Sequence, residues 1–181
     1  MSFVGTFFNV ILNLDKYLNI IVQDYGMWTY VILFIIIFCE TGLVVTPFLP
    51  GDSILFATGA LASIGVLKII PLFIIFYLAA VIGDTVNYHI GQKIGNKISD
   101  KQDVKYINKE YLKKTHSFYE KHGSMTIVVG RFIPIIRTFV PFVAGIGEMS
   151  YSKFIFYYIL GGLIWVVLFL VGGYFFGNLP F

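Results

Sequence analysis

Two arginines are the side chains in this sequence best suited to bind an anion. Arg131 and Arg137 lie in an apolar run that is broken by prolines, Gly130-Arg-Phe-Ile-Pro-Ile-Ile-Arg-Thr-Phe-Val-Pro-Phe-Val-Ala-Gly145. A guanidinium keeps its charge at accessible pH, and placing it at membrane depth costs from about 3 to more than 10 kcal/mol. Such groups usually face a partner or a wet cavity. Their planar forks suit bidentate binding of phosphate, so we expect Arg131 and Arg137 to bind the substrate.

Two carboxylates, Glu40 and Asp52, are candidate partners of these arginines, and a third, Asp84, is a candidate supporting residue. Glu40 and Asp52 enclose a second proline-broken stretch, and Asp84 follows a glycine in a long apolar segment. Glu40 and Asp52 can neutralise the arginines when no anion is bound. A carboxylate that then loses its partner in an apolar site favours the protonated form, which predicts proton coupling. Structural ion pairing is the alternative for both, and Asp84 either supports the site or only helps helices to pack.

Residues for metal or covalent chemistry are scarce. The chain has one cysteine, Cys39, and its three histidines, His89, His116 and His122, form no metal-ligand pattern with nearby carboxylates. We therefore expect neither a metal nor a cofactor. A lipid-phosphate enzyme would need a nucleophile or an acid cluster that holds a metal, and neither pattern is seen, so we expect no enzymatic activity.

The composition is that of an integral membrane protein. Hydrophobic residues make up 57% of the chain and charged residues only 13%. Eight of the thirteen basic residues are lysines in the stretch 93–121, where they alternate with acids between apolar segments. We do not expect this stretch to bind nucleic acid. The positive-inside rule instead predicts a cytoplasmic loop at residues 93–121.

The apolar segments differ in length, and this difference predicts an all-α fold with both spanning and re-entrant helices. Segments 69–88 and 154–176 can cross a membrane, which takes about 20 residues. Segment 53–66 is too short and segment 125–146 is interrupted, so both are predicted to be broken, re-entrant hairpins.

Two further features complete the predicted architecture. Prolines at the breaks release backbone groups that can line a cavity: Pro50, Pro134 and Pro141. Apolar residues recur at steps of three and four in residues 7–21 and 107–122, which predicts two amphipathic helices at the membrane interface.

Equal spacing in the two halves indicates an internal repeat. Gly26 precedes Glu40 by the same interval that separates Gly123 from Arg137. Interrupted apolar segments at corresponding positions are typical of transporters built from inverted repeats, with the site near the membrane midplane. The acid and the arginine would then meet, although chance spacing is the alternative.

These motifs resemble the DedA family of membrane proteins, whose shared region is also called the SNARE-associated or VTT domain. The resemblance covers most of the chain and is carried by Glu40-Thr-Gly, Phe48-Leu-Pro-Gly-Asp-Ser53, Gly83-Asp84 and the arginine-proline run. It implies two facing re-entrant hairpins and a multi-pass protein of a bacterial-type plasma membrane. The family's essential acids and arginines correspond to these positions: Glu40, Asp52, Arg131 and Arg137.

The resemblance also implies a function and a domain boundary. Family members are implicated in moving lipids such as undecaprenyl phosphate and phospholipids, some with proton or sodium gradients. They commonly continue into a further hydrophobic helix, so we expect residues 1–181 to form a single DedA-like transmembrane domain without it.

We therefore expect a flippase for an anionic lipid, with undecaprenyl phosphate favoured and with protons or sodium as candidate coupling ions. Alternatives are a phospholipid scramblase or flippase, a proton- or cation-coupled carrier of small solutes, and a scaffold for another membrane protein. A homo-oligomer is compatible with all of these.

Overall fold

The structure is a computed structural model that describes residues 25–43, 50–100 and 127–178. All regular secondary structure in these ranges is helical, and no β-strand occurs within them. The prediction of an all-α protein is confirmed at this level. The predicted amphipathic helices at 7–21 and 107–122 lie outside the described residues.

The described chain contains six α-helices and one π-helical turn, besides a short helical stretch at residues 127–130. In chain order they are α1 Trp28–Gly42, α2 Gly51–Ser63, α3 Ile69–Asp100, α4 Pro134–Ile146, α5 Tyr151–Val166, the π-helical turn Val167–Val171 and α6 Gly172–Gly177.

Two helical segments are long and apolar enough to cross a membrane. They are Ile69–Lys97, with 29 residues, and Tyr151–Gly177, with 27 residues, which includes α5, the π-helical turn and α6. The two predicted spanning segments are therefore found as long helices. The first extends past Lys93, so the prediction that the loop begins there is wrong. No proline interrupts the polar end of α3, and lysines near a helix C-terminus interact favourably with the helix dipole.

The two predicted breaks are short helices. Helix α2 has 13 residues, which at the α-helical rise corresponds to about 20 Å, less than the membrane core of about 30 Å. Residues 127–130 are helical and 131–133 form a turn before α4 starts. Pro134 opens α4 because a proline at the first helical position needs no hydrogen-bond partner. Helix α4 also continues through Pro141. The re-entrant path of these segments remains a prediction.

The chain packs as two compact units. Among the described residues, the first contains 25–37, 50–78 and 166–178, and the second contains 38–43, 79–100 and 127–165. In the first unit, α2 approaches the π-helical turn and α6 closely through glycines. A β-carbon on Gly173 would lie 2.0 Å from the carbonyl oxygen of Phe56, and one on Gly59 would lie 2.2 Å from that of Leu170. Small residues allow this kind of backbone approach between membrane helices.

The second unit has its own core and its own glycine contacts. Tyr88 of α3 packs with Val140 and Ala144 of α4 and with Phe154 and Tyr158 of α5, all of them buried. A β-carbon on Gly145 would lie 2.1 Å from the carbonyl oxygen of Tyr88, so α3 and α4 are nearly in backbone contact. This packing holds α3, α4 and α5 around the charged residues described next.

Candidate functional site

The first ion pair of the second unit joins Arg137 to Glu40. Arg137 lies in the first turn of α4, and Glu40 lies near the end of α1. The guanidinium Nη2 donates a hydrogen bond to Oε1 of Glu40, and each side chain is only 5% exposed. The two positions that correspond in the predicted repeat are thus in direct contact. The repeat itself remains a prediction.

The second ion pair joins Arg131 to Asp84. Nη1 of Arg131 donates to Oδ2 of Asp84 at 2.6 Å, and both side chains are buried. Arg131 lies in the turn before α4, where the interruption of the helix allows its side chain to reach α3. Asp84, expected only to support the site, is the carboxylate that holds one of its two arginines.

The indole of Trp165 contacts both arginines. Its ring centroid lies 4.6 Å from Cζ of Arg137 and 5.6 Å from Cζ of Arg131. Arg131 also lies over the ring of Tyr158, at 5.3 Å. Both aromatic side chains are fully buried, and cation–π contacts gain strength when water is excluded.

Two glycines of α5 leave room for the Arg131 side chain. A β-carbon on Gly162 would lie 3.4 Å from Nη2 of Arg131, and one on Gly161 would lie 3.5 Å from its Cδ. Larger side chains would occupy the space of the guanidinium. Both glycines therefore face the arginine side chain.

Asn87 links the backbone beside the two members of the first ion pair. Its Nδ2 donates to the carbonyl of Thr41 at 3.1 Å and to the carbonyl of Thr138 at 2.8 Å. These threonines directly follow Glu40 and Arg137 in the chain. Asn87 is fully buried, and its Oδ1 accepts no hydrogen bond from any described residue. The amide therefore ties α1 and α4 together next to the charged pair.

The charged side chains close on one another and leave a narrow recess. Thr41, Asp84, Arg131, Arg137 and Trp165 line it, and no part of it is wide enough for a water molecule. A phosphate therefore cannot enter this conformation unless the arginines separate from their carboxylates. Among the described residues, no group of three or more His, Cys, Asp or Glu side chains could hold a metal ion.

The other predicted site residues lie along the same helices or in the first unit. Pro134 and Pro141 lie on either side of Arg137 in α4. Because Pro141 has no N–H, it cannot donate to the carbonyl of Arg137, four residues earlier. Pro50 caps α2 and Asp52 lies in its first turn, within the first unit. The proton-coupling role of Asp52 remains a prediction.

Sequence reasoning missed Trp165, Tyr158 and Asn87. Helical spacing was an available signal for all three. Asn87 lies one turn after Asp84 on α3, and Tyr158, Gly162 and Trp165 are separated by steps of four and three on α5. Until the packing of the helices was known, neither set of residues could be predicted to contact the arginines.

Comparisons with known proteins identify the family. The VTT domain matches residues 49–175. The chain is 51% identical to protein DedA of Escherichia coli strain K12 over 182 residues, covering 99% of this chain and 83% of that protein. It is 43% identical over 147 residues to an uncharacterized membrane protein of Mycobacterium leprae, covering 81% of this chain and 66% of that protein.

A more distant relative is the inner membrane protein YqjA of Escherichia coli strain K12. It is 33% identical over 151 residues, which cover 83% of this chain and 69% of that protein. No solved structure matches the chain significantly. The domain match and the nearly full-length identity confirm the family indicated by the arginine-proline run: the chain belongs to the DedA family of membrane proteins, which is defined by the VTT domain.

Proposed function

We propose that the protein is a flippase that moves an anionic, phosphate-bearing lipid across the membrane, with undecaprenyl phosphate as the favoured substrate. One observation carries this proposal. Arg131 and Arg137 are both buried, and each is held by its own carboxylate beside the same tryptophan. Burying two guanidiniums is costly. Binding an anionic ligand in place of the carboxylates would explain why both charges are buried.

The charge of the site favours a phosphate monoester. Such a group carries about −1.5 to −2 at neutral pH, and two guanidiniums match this charge with planar, bidentate donors. A phosphodiester head group carries a single negative charge and matches the site less well. The long prenyl tail can remain among the apolar helices or in the bilayer while the head group is bound. This argument favours a polyprenyl phosphate over a glycerophospholipid.

Entry of the head group requires an exchange of partners. Because the recess does not admit even water, the phosphate must separate Arg137 from Glu40 and Arg131 from Asp84. The released carboxylates lie in an apolar environment, where an uncompensated negative charge is costly. Uptake of protons removes that cost and couples lipid movement to a proton gradient. A sodium ion can serve the same purpose. Asp52 is proposed as a third carboxylate that takes up a proton, beside Glu40 and Asp84.

The proposal includes a location. The protein is placed in a bacterial-type plasma membrane as a multi-pass protein, with the lysine-rich stretch 93–121 on the cytoplasmic side. The helix lengths, the apolar composition and the name of one relative as an inner membrane protein support this placement. No catalytic step, metal or cofactor is part of the proposed mechanism, and the function is compatible with a homo-oligomer.

Reconstitution into lipid vesicles tests the proposal. Three labelled lipids are compared: a polyprenyl phosphate, a glycerophospholipid and an uncharged polyprenol. We expect the wild-type protein to increase the accessibility of the polyprenyl phosphate in the opposite leaflet, with a slower effect on the phosphodiester. Combined replacement of Arg131 and Arg137 by glutamine should abolish the effect, and the exposed Lys153→Gln serves as the matched loss of a positive charge.

Three results would contradict the proposal. Equal rates for charged and neutral lipids that do not depend on the arginines would indicate a nonselective scramblase. Uptake of a small solute without lipid movement would indicate a solute carrier. Binding of the lipid without translocation would indicate a sensor or scaffold.

A further inference from the structure

Trp165 is placed to act on both arginines at once. The Cζ atoms of Arg131 and Arg137 lie 5.6 and 4.6 Å from its ring centroid, and the side chain is 1% exposed. The carboxylates come from α1 and α3, whereas the indole comes from α5. The site thus brings together an uncharged ring shared by both arginines and two charged partners, Glu40 and Asp84.

The ring and a phosphate use different parts of a guanidinium. The N–H donors of arginine lie in the plane of the group and point outwards, where they bind a carboxylate or a phosphate. An aromatic ring attracts the cation electrostatically through its electron-rich face and needs none of these donors in a stacked arrangement. The indole can therefore stay in contact with an arginine while its in-plane partner changes from carboxylate to phosphate.

We propose that Trp165 is a positioning residue that keeps the two guanidiniums together as one phosphate-binding site while Glu40 and Asp84 are exchanged for the lipid head group. This inference rests on the proposed lipid-phosphate function. It predicts that the ring acts through its electrons as well as its volume. It also predicts that loss of the ring weakens the preference for a monoester over a diester, because two separated arginines no longer match the doubly charged group.

The protein offers a clean way to probe this ring. It contains two tryptophans, and Trp28 at the start of α1 is 69% exposed. In a Trp28→Phe protein, every tryptophan analogue supplied during expression enters position 165. Analogues with one, two and three fluorines weaken the cation–π interaction stepwise with little change in ring size. The purified proteins are then compared for transport of polyprenyl phosphate and phosphatidylglycerol in vesicles, and for thermal stability in detergent.

We expect polyprenyl phosphate transport to fall with each added fluorine, to about one tenth for the most substituted ring, as expected for weakening of a desolvated cation–π contact. The preference for the monoester should fall in the same order. Trp165→Phe should lie within the series and Trp165→Leu below it. In the Trp28→Phe protein without analogue, transport should equal that of the wild type.

The stability measurement separates this inference from the proposed function. If neither the wild-type nor the Trp28→Phe protein moves a phosphate lipid, the proposed function fails. A stepwise loss of thermal stability that disappears when both arginines are replaced by glutamine would still support Trp165 as the residue that holds them. A fluorine series without a trend in transport, or in stability where no transport exists, would overturn the inference. That conclusion holds even if Trp165→Leu fails to fold.

Discussion

Asp84 on α3 accepts a hydrogen bond from Arg131 at 2.6 Å, and both side chains are 4% exposed. Neither residue can lose its partner cheaply, because a buried charge without a counterion is far less stable than a buried pair. The contact therefore joins the middle of α3 to the turn that precedes α4. Because Asp84 and Arg131 form one pair, replacing them singly and together can distinguish a structural role from a role in transport.

Neutralising both members of this pair should restore stability without restoring transport. Asp84→Asn or Arg131→Gln alone should cost about 3–5 kcal/mol, because each leaves one buried charge. The double variant should be more stable than either single variant, since both charges are gone. Thermal unfolding in detergent measures the first effect and vesicle transport the second. A double variant that transports at the wild-type rate would show that the pair is only structural.

Arg137 should tolerate no replacement by lysine. Arg137→Lys keeps the positive charge near Glu40 but loses the planar fork and the stacking on Trp165. We expect inserted protein at near-normal abundance and loss of phosphate-lipid transport, measured in membranes and in vesicles respectively. The matched control is Lys153→Arg on the exposed start of α5. Normal transport by Arg137→Lys would mean that a point charge suffices at this position.

Glu40 should determine the response to a pH gradient. Glu40→Gln resembles the protonated side chain and cannot exchange a proton. Transport by this variant should therefore respond less to the gradient than wild-type transport does, because Asp84 and Asp52 can still take up protons. Rates are measured in vesicles with and without an imposed gradient. Asp52→Asn is tested in parallel. If either variant mainly lowers abundance and the remaining protein transports with a normal pH response, its proton-exchange role is wrong.

Two glycines provide a matched test of the space around Arg131. Gly162→Leu should displace the guanidinium, because a β-carbon there already lies 3.4 Å from Nη2, whereas Gly172→Leu meets nothing within 4 Å of its β-carbon. A displacement of about 1 Å can cost on the order of a hundredfold in rate. We expect a loss of this size for Gly162→Leu, a small effect for Gly162→Ala and none for Gly172→Leu. Equal transport rates of the Gly162→Leu and Gly172→Leu variants would show that the position of Arg131 does not matter for transport.

Single cysteines should report a re-entrant topology. In a Cys39→Ser protein, which has no other cysteine, new cysteines near Pro50 and Ile136 are treated with membrane-impermeant reagents. We expect the two positions to react from opposite sides of the membrane, and positions within 101–121 to react from the cytoplasmic side. Labelling that requires either broken segment to cross completely would contradict the re-entrant hairpins.

Several properties of this protein follow from its sequence alone. Apolar length and low charge predicted a helical membrane protein with two long helices, because only long, continuous apolar segments can satisfy the backbone inside a membrane. Prolines predicted that segment 125–146 is interrupted, and the structure places the start of α4 at Pro134, because proline suits the first helical turn. The rarity of arginine in an apolar run identified Arg131 and Arg137 as site candidates.

The predicted repeat already paired Glu40 with Arg137, but only the tertiary structure decided that Asp84 and Trp165 contact the arginines. Asp84 is 47 residues from Arg131 and Glu40 is 97 residues from Arg137, and such distances in the chain are closed only by helix packing. Trp165 looked like any other aromatic residue of an apolar helix. Its position beside both guanidiniums depends on the close packing of α3, α4 and α5, which local spacing does not encode.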